Sequence, residues 1–201
     1  MDILITLGRT LGFSMAAGVN LYATVAILGL ASRYGWVALP EQFRVFDHDV
    51  VIYSALALFV IEFVADKIPW VDTLWDGVHT AIRPLGGALI AVSTLGDANP
   101  AMQGIVALLG GGLAASSHFT KAGTRVTVNA SPEPFSNWLL SLTEDAFVFA
   151  LAALALKFPL LALAVVVLAF VMCVATIAYV VRALRRRFGR RRDVILTGHP
   201  A

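Results

Sequence analysis

Six apolar runs, separated by short polar or proline-containing stretches, leave few folds open to this chain. They cover about residues 2–32, 50–66, 72–96, 101–127, 135–156 and 159–184. A helix needs roughly 17–25 predominantly apolar residues to cross a bilayer, and each run has that order of length. Of all residues 59% are hydrophobic and only 14% charged, and mean hydropathy is +0.81. Soluble domains carry about 25% charged residues. So little polarity cannot cover a water-facing surface without large apolar patches, so the expected solvent and partner is the lipid bilayer. The expected fold class is therefore an all-α polytopic membrane helical bundle of about six membrane segments. Residues 1–184 read as a transmembrane helical domain and 185–201 as a basic cytoplasmic tail.

Two runs are irregular. The first is interrupted at Gly18-Val19-Asn20, with Ser14, Asn20 and Tyr22 around Gly18. Small residues there suit close helix packing. The alternative is a local unwinding whose free carbonyls line a cavity. The third run contains Pro84 and Gly86-Gly87 behind an amphipathic first half, and reads as an interfacial helix followed by a short or re-entrant segment. A weak internal pseudo-repeat is also visible. SMAAGVNLYAT precedes Glu62-x-x-x-Asp66, and GGGLAASSHFTKAG precedes Glu144-Asp145, a pattern found in transporters built from two halves. The N-terminal stretch carries Asp2 rather than a basic cluster and reads as a first span, not a cleaved leader.

Net charge is only +2, but its placement orients the chain. The tail RALRRRFGRRR holds seven arginines and should be cytoplasmic. With six spans the N-terminus is cytoplasmic too. Arg9, Lys67, Lys121 and Arg125 then join the tail, giving eleven basic residues inside against Arg33, Arg44 and Lys157 outside. A five-span alternative puts Arg9 outside and scatters the polar motifs over both faces. The expected location is a bacterial inner (plasma) membrane with both termini cytoplasmic. The tail suits anionic headgroups; no folded reader accompanies it, so no nucleic-acid partner is expected.

Ionisable residues inside such segments cost at least roughly 2.5–3.5 kcal/mol each by insertion scales, so they point to function. The stretch 62–84 is the densest. Glu62 and Asp66 share a helical face, Pro69 breaks the helix, and Asp72, Asp76, His79 and Arg83 then form a stripe at i, i+4, i+7 and i+11. Two carboxylates and an imidazole at this spacing make Asp72, Asp76 and His79 candidate metal ligands or proton relays. The plainer reading is an ion-pair stripe joining helices, Asp76–Arg83 for example. In 116–137, His118, Lys121 and Arg125 fall on one face and want carboxylates or an anion opposite. Asn129 opens a rigid turn with Glu133, and Ser131 and Pro132 suit the start of the fifth helix. Glu144 and Asp145 are adjacent within a span and point about 100° apart, so they should face different partners. Glu144 or Asp145 should pair with His118, Lys121 or Arg125. Cys173, the single cysteine, lies in an apolar run and reads as a packed or lipid-facing thiol.

The chain contains no G-x-S-x-G, HExxH or P-loop motif and no cysteine-based metal site. The stretches AAGVNLYATVAILGL, EFVADKIPWVDTLWDGVHTAIRP and HFTKAGTRVTVNASPEPFSNWLLSLTED resemble a bacterial integral-membrane family known only as a domain of unknown function. The resemblance covers about residues 10–180 and implies a polytopic inner-membrane protein, with no activity, cofactor or site residue to carry over. The leading functional expectation is a transporter- or channel-like protein with a charged, cytoplasm-facing cavity for a small polar solute, coupled to protons or cations, since acids outnumber fixed cations in these motifs. Asn20, Glu62, Asp66, Asp72, Asp76, His79, Arg83, His118, Lys121, Arg125, Asn129, Glu133, Glu144 and Asp145 are its candidate lining. One alternative is an intramembrane metal-dependent enzyme acting on a lipid or phosphate headgroup. Another is a non-catalytic assembly module, alone or as a homo-oligomer.

Overall fold

The computed structural model describes residues 3–129 and 135–197, and among them every regular element is helical. In order these are α1 (Ile3–Val19), α2 (Leu21–Arg33), a 3-10 helix (Glu41–Phe46), α3 (Asp49–Ala65), α4 (Pro69–Leu95), α5 (Pro100–Asn129), α6 (Phe135–Lys157) and α7 (Pro159–Thr197). Local chemistry explains most boundaries. Pro69, Pro100 and Pro159 each open a helix, where a missing N–H costs nothing. Gly96, at φ +77°, ends α4 in a conformation glycine tolerates. Glu133 and the expected Ser131-Pro132 cap lie outside the described residues. Among the described residues three helices are long and apolar enough to cross a membrane: α4, α6 and the stretch Pro159–Tyr179 of α7.

The first run departs most from expectation. Its interruption is a true break: Asn20 is extended (φ −145°, ψ 100°) and its side chain caps α2, accepting from the Ala23 N–H at 2.9 Å. The chain reverses there. Along α1, Gly8 lies against Pro159, Thr10 meets Thr94 at 3.0 Å, the Ser14 hydroxyl donates to the Gly87 carbonyl at 3.1 Å, and the Val19 carbonyl reaches Lys121. Along α2 the order runs back. Asn20 meets Asp145, Ile27 and Leu30 share a cleft with Phe149 and Leu156, and Arg33 pairs with Asp47 and Asp49 at 2.7 Å beside the start of α3. The two helices form a helical hairpin. Both outer ends sit at one end of the bundle and the tip, Asn20, is buried inside it. The lengths agree: 17 and 13 residues at 1.5 Å rise give only about 26 and 20 Å.

This arrangement corrects three expectations. The break falls in the first run and not in the third, because α4 is one continuous helix through Pro84. Pro84 removes a single backbone donor, and Arg83 and Gly87 hold the turns on either side through tertiary contacts. The described start of α1 and the described end of α7 lie at opposite ends of the bundle, where one shared end was expected. The two presumed repeats also differ in build, since α5, the counterpart of the first run, is unbroken. The α7 helix itself continues past 184 into the basic stretch as far as Thr197.

The polarity of the bundle is inverted relative to a water-soluble protein. Phe13, Leu28, Phe43, Val148 and Leu151 form an apolar core, with Phe43 of the 3-10 helix set edge-on to Phe13 at 6.1 Å. Yet Glu62, Asp72, Arg83 and His118 are wholly buried, while Leu108 is 79% exposed and Leu89 68%. Small residues bring the backbones together. A side chain at Gly18 would strike the Ala114 carbonyl, and one at Gly110 would lie 2.8 Å from the Gly87 carbonyl.

Candidate functional site: a buried ion network at the hairpin tip

The α3–α4 turn, the C-terminal half of α5 and the first half of α6 converge where the hairpin tip enters the bundle. Three cations there serve five carboxylates. Arg83 donates to Glu62 at 2.6 Å and to Asp76 at 3.0 Å. Lys121 lies 3.0 Å from Asp66, 3.5 Å from Glu62 and 3.7 Å from Glu144. Arg125 donates to Glu144 at 2.5 Å and to Asp66 at 3.0 Å, and lies 3.6 Å from Asp72. The expected pairing of α5 cations with α6 is thus present through Glu144. Its neighbour Asp145 points elsewhere, as adjacent helical positions must, and accepts from Asn20 Nδ2 at 3.2 Å.

Neutral groups complete the network. An arginine can only donate, so His118 Nδ1, 2.8 Å from Arg83 Nη1, is an acceptor, and the proton on Nε2 points to Thr80 Oγ1 at 3.2 Å. His118 is therefore neutral. His79 is engaged at both nitrogens: Nδ1 donates to the Trp75 carbonyl at 2.7 Å and Nε2 lies 2.8 Å from the Tyr22 hydroxyl, with the ring stacked on Trp75 at 4.6 Å. Asn129 donates to Asp72 at 2.7 Å. Sequence reasoning missed Asn137, which accepts from Arg125 at 2.9 Å and donates to the Asp66 carbonyl at 3.2 Å, and Ser141, which meets Lys67 at 3.3 Å. The signal was present: Asn137, Ser141 and Asp145 fall at i, i+4 and i+8 on one face of α6.

The expectation that Asp72, Asp76 and His79 could hold a metal is corrected. Their side chains turn to three different partners, Asn129 with Arg125, Arg83, and Tyr22, because the cations of the network outcompete a shared focus. Among the described residues no three His, Cys, Asp or Glu side chains converge on one point. Among the described residues most network members are buried, with Lys67, Asn129 and Glu144 partly exposed, and the cleft that reaches Lys121 and Glu144, about 260 Å³, is otherwise lined by residues such as Met15, Val19, Phe147 and Cys173 rather than by the expected charged groups.

Two electrostatic features stand out. First, the hairpin tip is matched to its surroundings. The C-terminal end of α1 presents the Val19 carbonyl to Lys121 at 3.3 Å, and the N-terminal end of α2 presents Asn20 to Asp145, each charge lying at the helix end whose dipole favours it. Second, the acids are in excess. Glu62, Asp66, Asp72, Asp76, Glu144 and Asp145 face Lys67, Arg83, Lys121 and Arg125, six against four. One oxygen each of Glu62, Asp66, Asp72, Asp76 and Asp145 is buried without a hydrogen-bond partner. In the α3–α4 turn, burial pushes the Asp66 carboxyl up, but Lys121 and Arg125 outweigh it and hold it below the ordinary carboxylate value.

No curated protein and no solved structure matches the chain. One family model matches residues 7–179, which takes in the hairpin, the whole network and the apolar part of α7. The chain belongs to the family described as Domain of unknown function (DUF4126).

Proposed function

We propose that the chain is a polytopic inner-membrane protein of transporter or channel type, coupled to proton or cation movement. In this reading it has six membrane segments: α3 to α7 cross the bilayer, and the α1–α2 hairpin enters from the face opposite the basic tail. Lys67, Lys121, Arg125 and the seven tail arginines give ten basic residues on the tail side, against Arg9, Arg33, Arg44 and Lys157 on the other. That asymmetry assigns the tail to the cytoplasm. An exterior rich in exposed leucine around buried carboxylates and guanidinium groups supports a lipid solvent.

The observation that carries the transport reading is the buried hairpin tip seated in the ion network. Helix ends within a membrane are tolerated where they meet protein or line a pathway, and half-helix ends are where transporters hold ions and polar solutes. The network as seen is closed, so solute access requires α6 to part from α5 at the cleft beside Lys121 and Glu144. The test is reconstitution into inside-acid proteoliposomes with an internal pH dye, challenged with sodium, potassium and small amino acids. Protein-dependent alkalinisation with at least one of them is expected. Folded protein that leaves the internal pH unchanged with all of them rejects the reading.

One observation favours a second reading, a non-catalytic module whose charges only fix assembly: Arg83, Lys121 and Arg125 each have carboxylate partners within the fold. Under this reading Asp76→Asn lowers the melting temperature and changes nothing else.

A further inference from the structure

We propose that Asp145 is an exchangeable-proton site, the one carboxyl of the network that takes up and releases a proton. The inference rests on the transport reading for its purpose, but not for its test.

Of the network's six carboxylates, five have a lysine or arginine nitrogen within 4.0 Å, and among the described residues Asp145 alone has none. It is only 8% exposed, its Oδ1 accepts one hydrogen bond from Asn20 Nδ2, and its Oδ2 is buried with no partner. An ionised carboxylate in that setting lacks the pairing that buried charges need, whereas a protonated carboxyl is neutral and stable there. The groups facing it from each neighbouring element make occupation adjustable rather than permanent. From the hairpin comes Asn20, from the α3–α4 turn Asp66 and Lys67, and from α5 Lys121; α7 offers no charged group between Pro159 and Tyr179. Lys67 is the movable one. It now rests over the Phe63 ring and on Ser141, one helical turn before Asp145, so a small swing of its chain would bring the counter-ion to the ionised form.

A metal cation fits this place less well than a proton. Cations such as sodium or calcium need several oxygen ligands. The Asn20 carbonyl oxygen is committed to the Ala23 N–H, and no acidic cluster converges at Asp145. A proton needs only Oδ2. The site also lies at the hairpin tip, where α1 ends on Lys121 and α2 begins on Asn20. A change of charge at Asp145 therefore acts on the N-terminal end of α2, the position at which a helix end responds most to a neighbouring charge.

The test is an infrared titration of the full-length protein in detergent from about pH 5 to pH 9, above the roughly pH 4 range of solvent-exposed carboxyls. The wild type should show a protonated-carboxyl stretching band that declines with rising pH. Asp145→Asn should remove it, and Asp76→Asn, whose carboxylate is paired with Arg83, should keep it. A band that persists in D145N, or that D76N removes equally, overturns the proposal. Because D145N could fail to fold, the wild type carries a second measurement. A hydrophobic carbodiimide adds only to protonated carboxyls, its carbon bonding the carboxyl oxygen while the proton moves to its nitrogen. Mapping by mass spectrometry should find Asp145 modified, less so as pH rises. Modification confined to another carboxylate, or none at any pH, overturns the assignment. Neither measurement needs flux. A titrating Asp145 in a protein that moves no protons would reject the transport reading alone.

Discussion

The antiparallel pair α4–α5 is held in two different ways along its length. At the end near the basic tail, Arg83 of α4, itself paired with Asp76, meets His118 of α5, and Asp72 meets Arg125 and Asn129. At the other end the same two helices touch through Gly87, Ala91, Gly110 and Ala114, almost without side chains between them. The small-residue end gains from van der Waals contact and close backbone approach, and asks little of its neighbours. The charged end is costly by itself. It is stable only because α3, α6 and the hairpin supply Glu62, Asp66, Glu144 and the Val19 carbonyl. One helix pair thus contains a self-sufficient half and a dependent half. The transport reading places function with the dependent one, since a cluster with excess carboxylates can change state and a glycine seam cannot.

The largest expected effect breaks the dependent half. Arg83→Leu leaves Glu62 with Lys121 alone and Asp76 with no cation, and should cost about 3–5 kcal/mol, read as a large drop in detergent melting temperature. A melting temperature close to wild type would show that the carboxylates are protonated rather than paired. Next comes Asp76→Asn, which is nearly isosteric and leaves Arg83 its bond to Glu62. It should cost roughly 1.5–3 kcal/mol, fold, and lose solute-driven proton movement in proteoliposomes. Normal flux per folded molecule would hand the charged half back to pure assembly.

The other half is tested by Gly110→Ala, where the new methyl would crowd the Gly87 carbonyl and Ser14. It should cost about 1–3 kcal/mol by overpacking, with flux per folded molecule unchanged. Loss of flux at full stability would mean that the seam moves in the cycle. The smallest effect is expected for His79→Gln. With both ring nitrogens hydrogen-bonded, to the Trp75 carbonyl and the Tyr22 hydroxyl, His79 should contribute about 1 kcal/mol and, with Asp145 as the exchanging group, its loss should leave the pH dependence of flux in place. A shifted pH profile in H79Q would place the titrating group at His79 instead of Asp145.

Much of the charged half was legible in the sequence. The stripe 72-76-79-83 and the stripe 118-121-125 each lie on one helical face, and both do point inward. The demand of Lys121 and Arg125 for carboxylates opposite was legible for the same reason, whereas His118, grouped with them, meets Arg83 and Thr80 instead. What could not be read was the allocation of partners. Asp72, Asp76 and His79 share a stripe yet serve three different neighbours, because convergence depends on which helices stand opposite and not on spacing along one helix. The hairpin was half legible. Gly18-Val19-Asn20 marked an interruption, but a helix that bends and continues and a helix that reverses have the same local sequence. The argument against a five-span arrangement failed here. The hairpin returns α2 to the side from which α1 entered, so the polar motifs stay together although Arg9 changes side.

Apolar runs, prolines at helix starts and the period of buried charges are local properties, carried by side chains within a few residues of each other. The sequence by itself therefore determined the helical class, most helix boundaries and the inward faces of the charged segments. The reversal at Asn20, the closure of the ion network and the isolation of Asp145 from every cation needed the tertiary structure. Each depends on contacts between residues far apart in the chain, such as Asn20 with Asp145 and Lys121 with Asp66, whose energies exist only once the helices have packed.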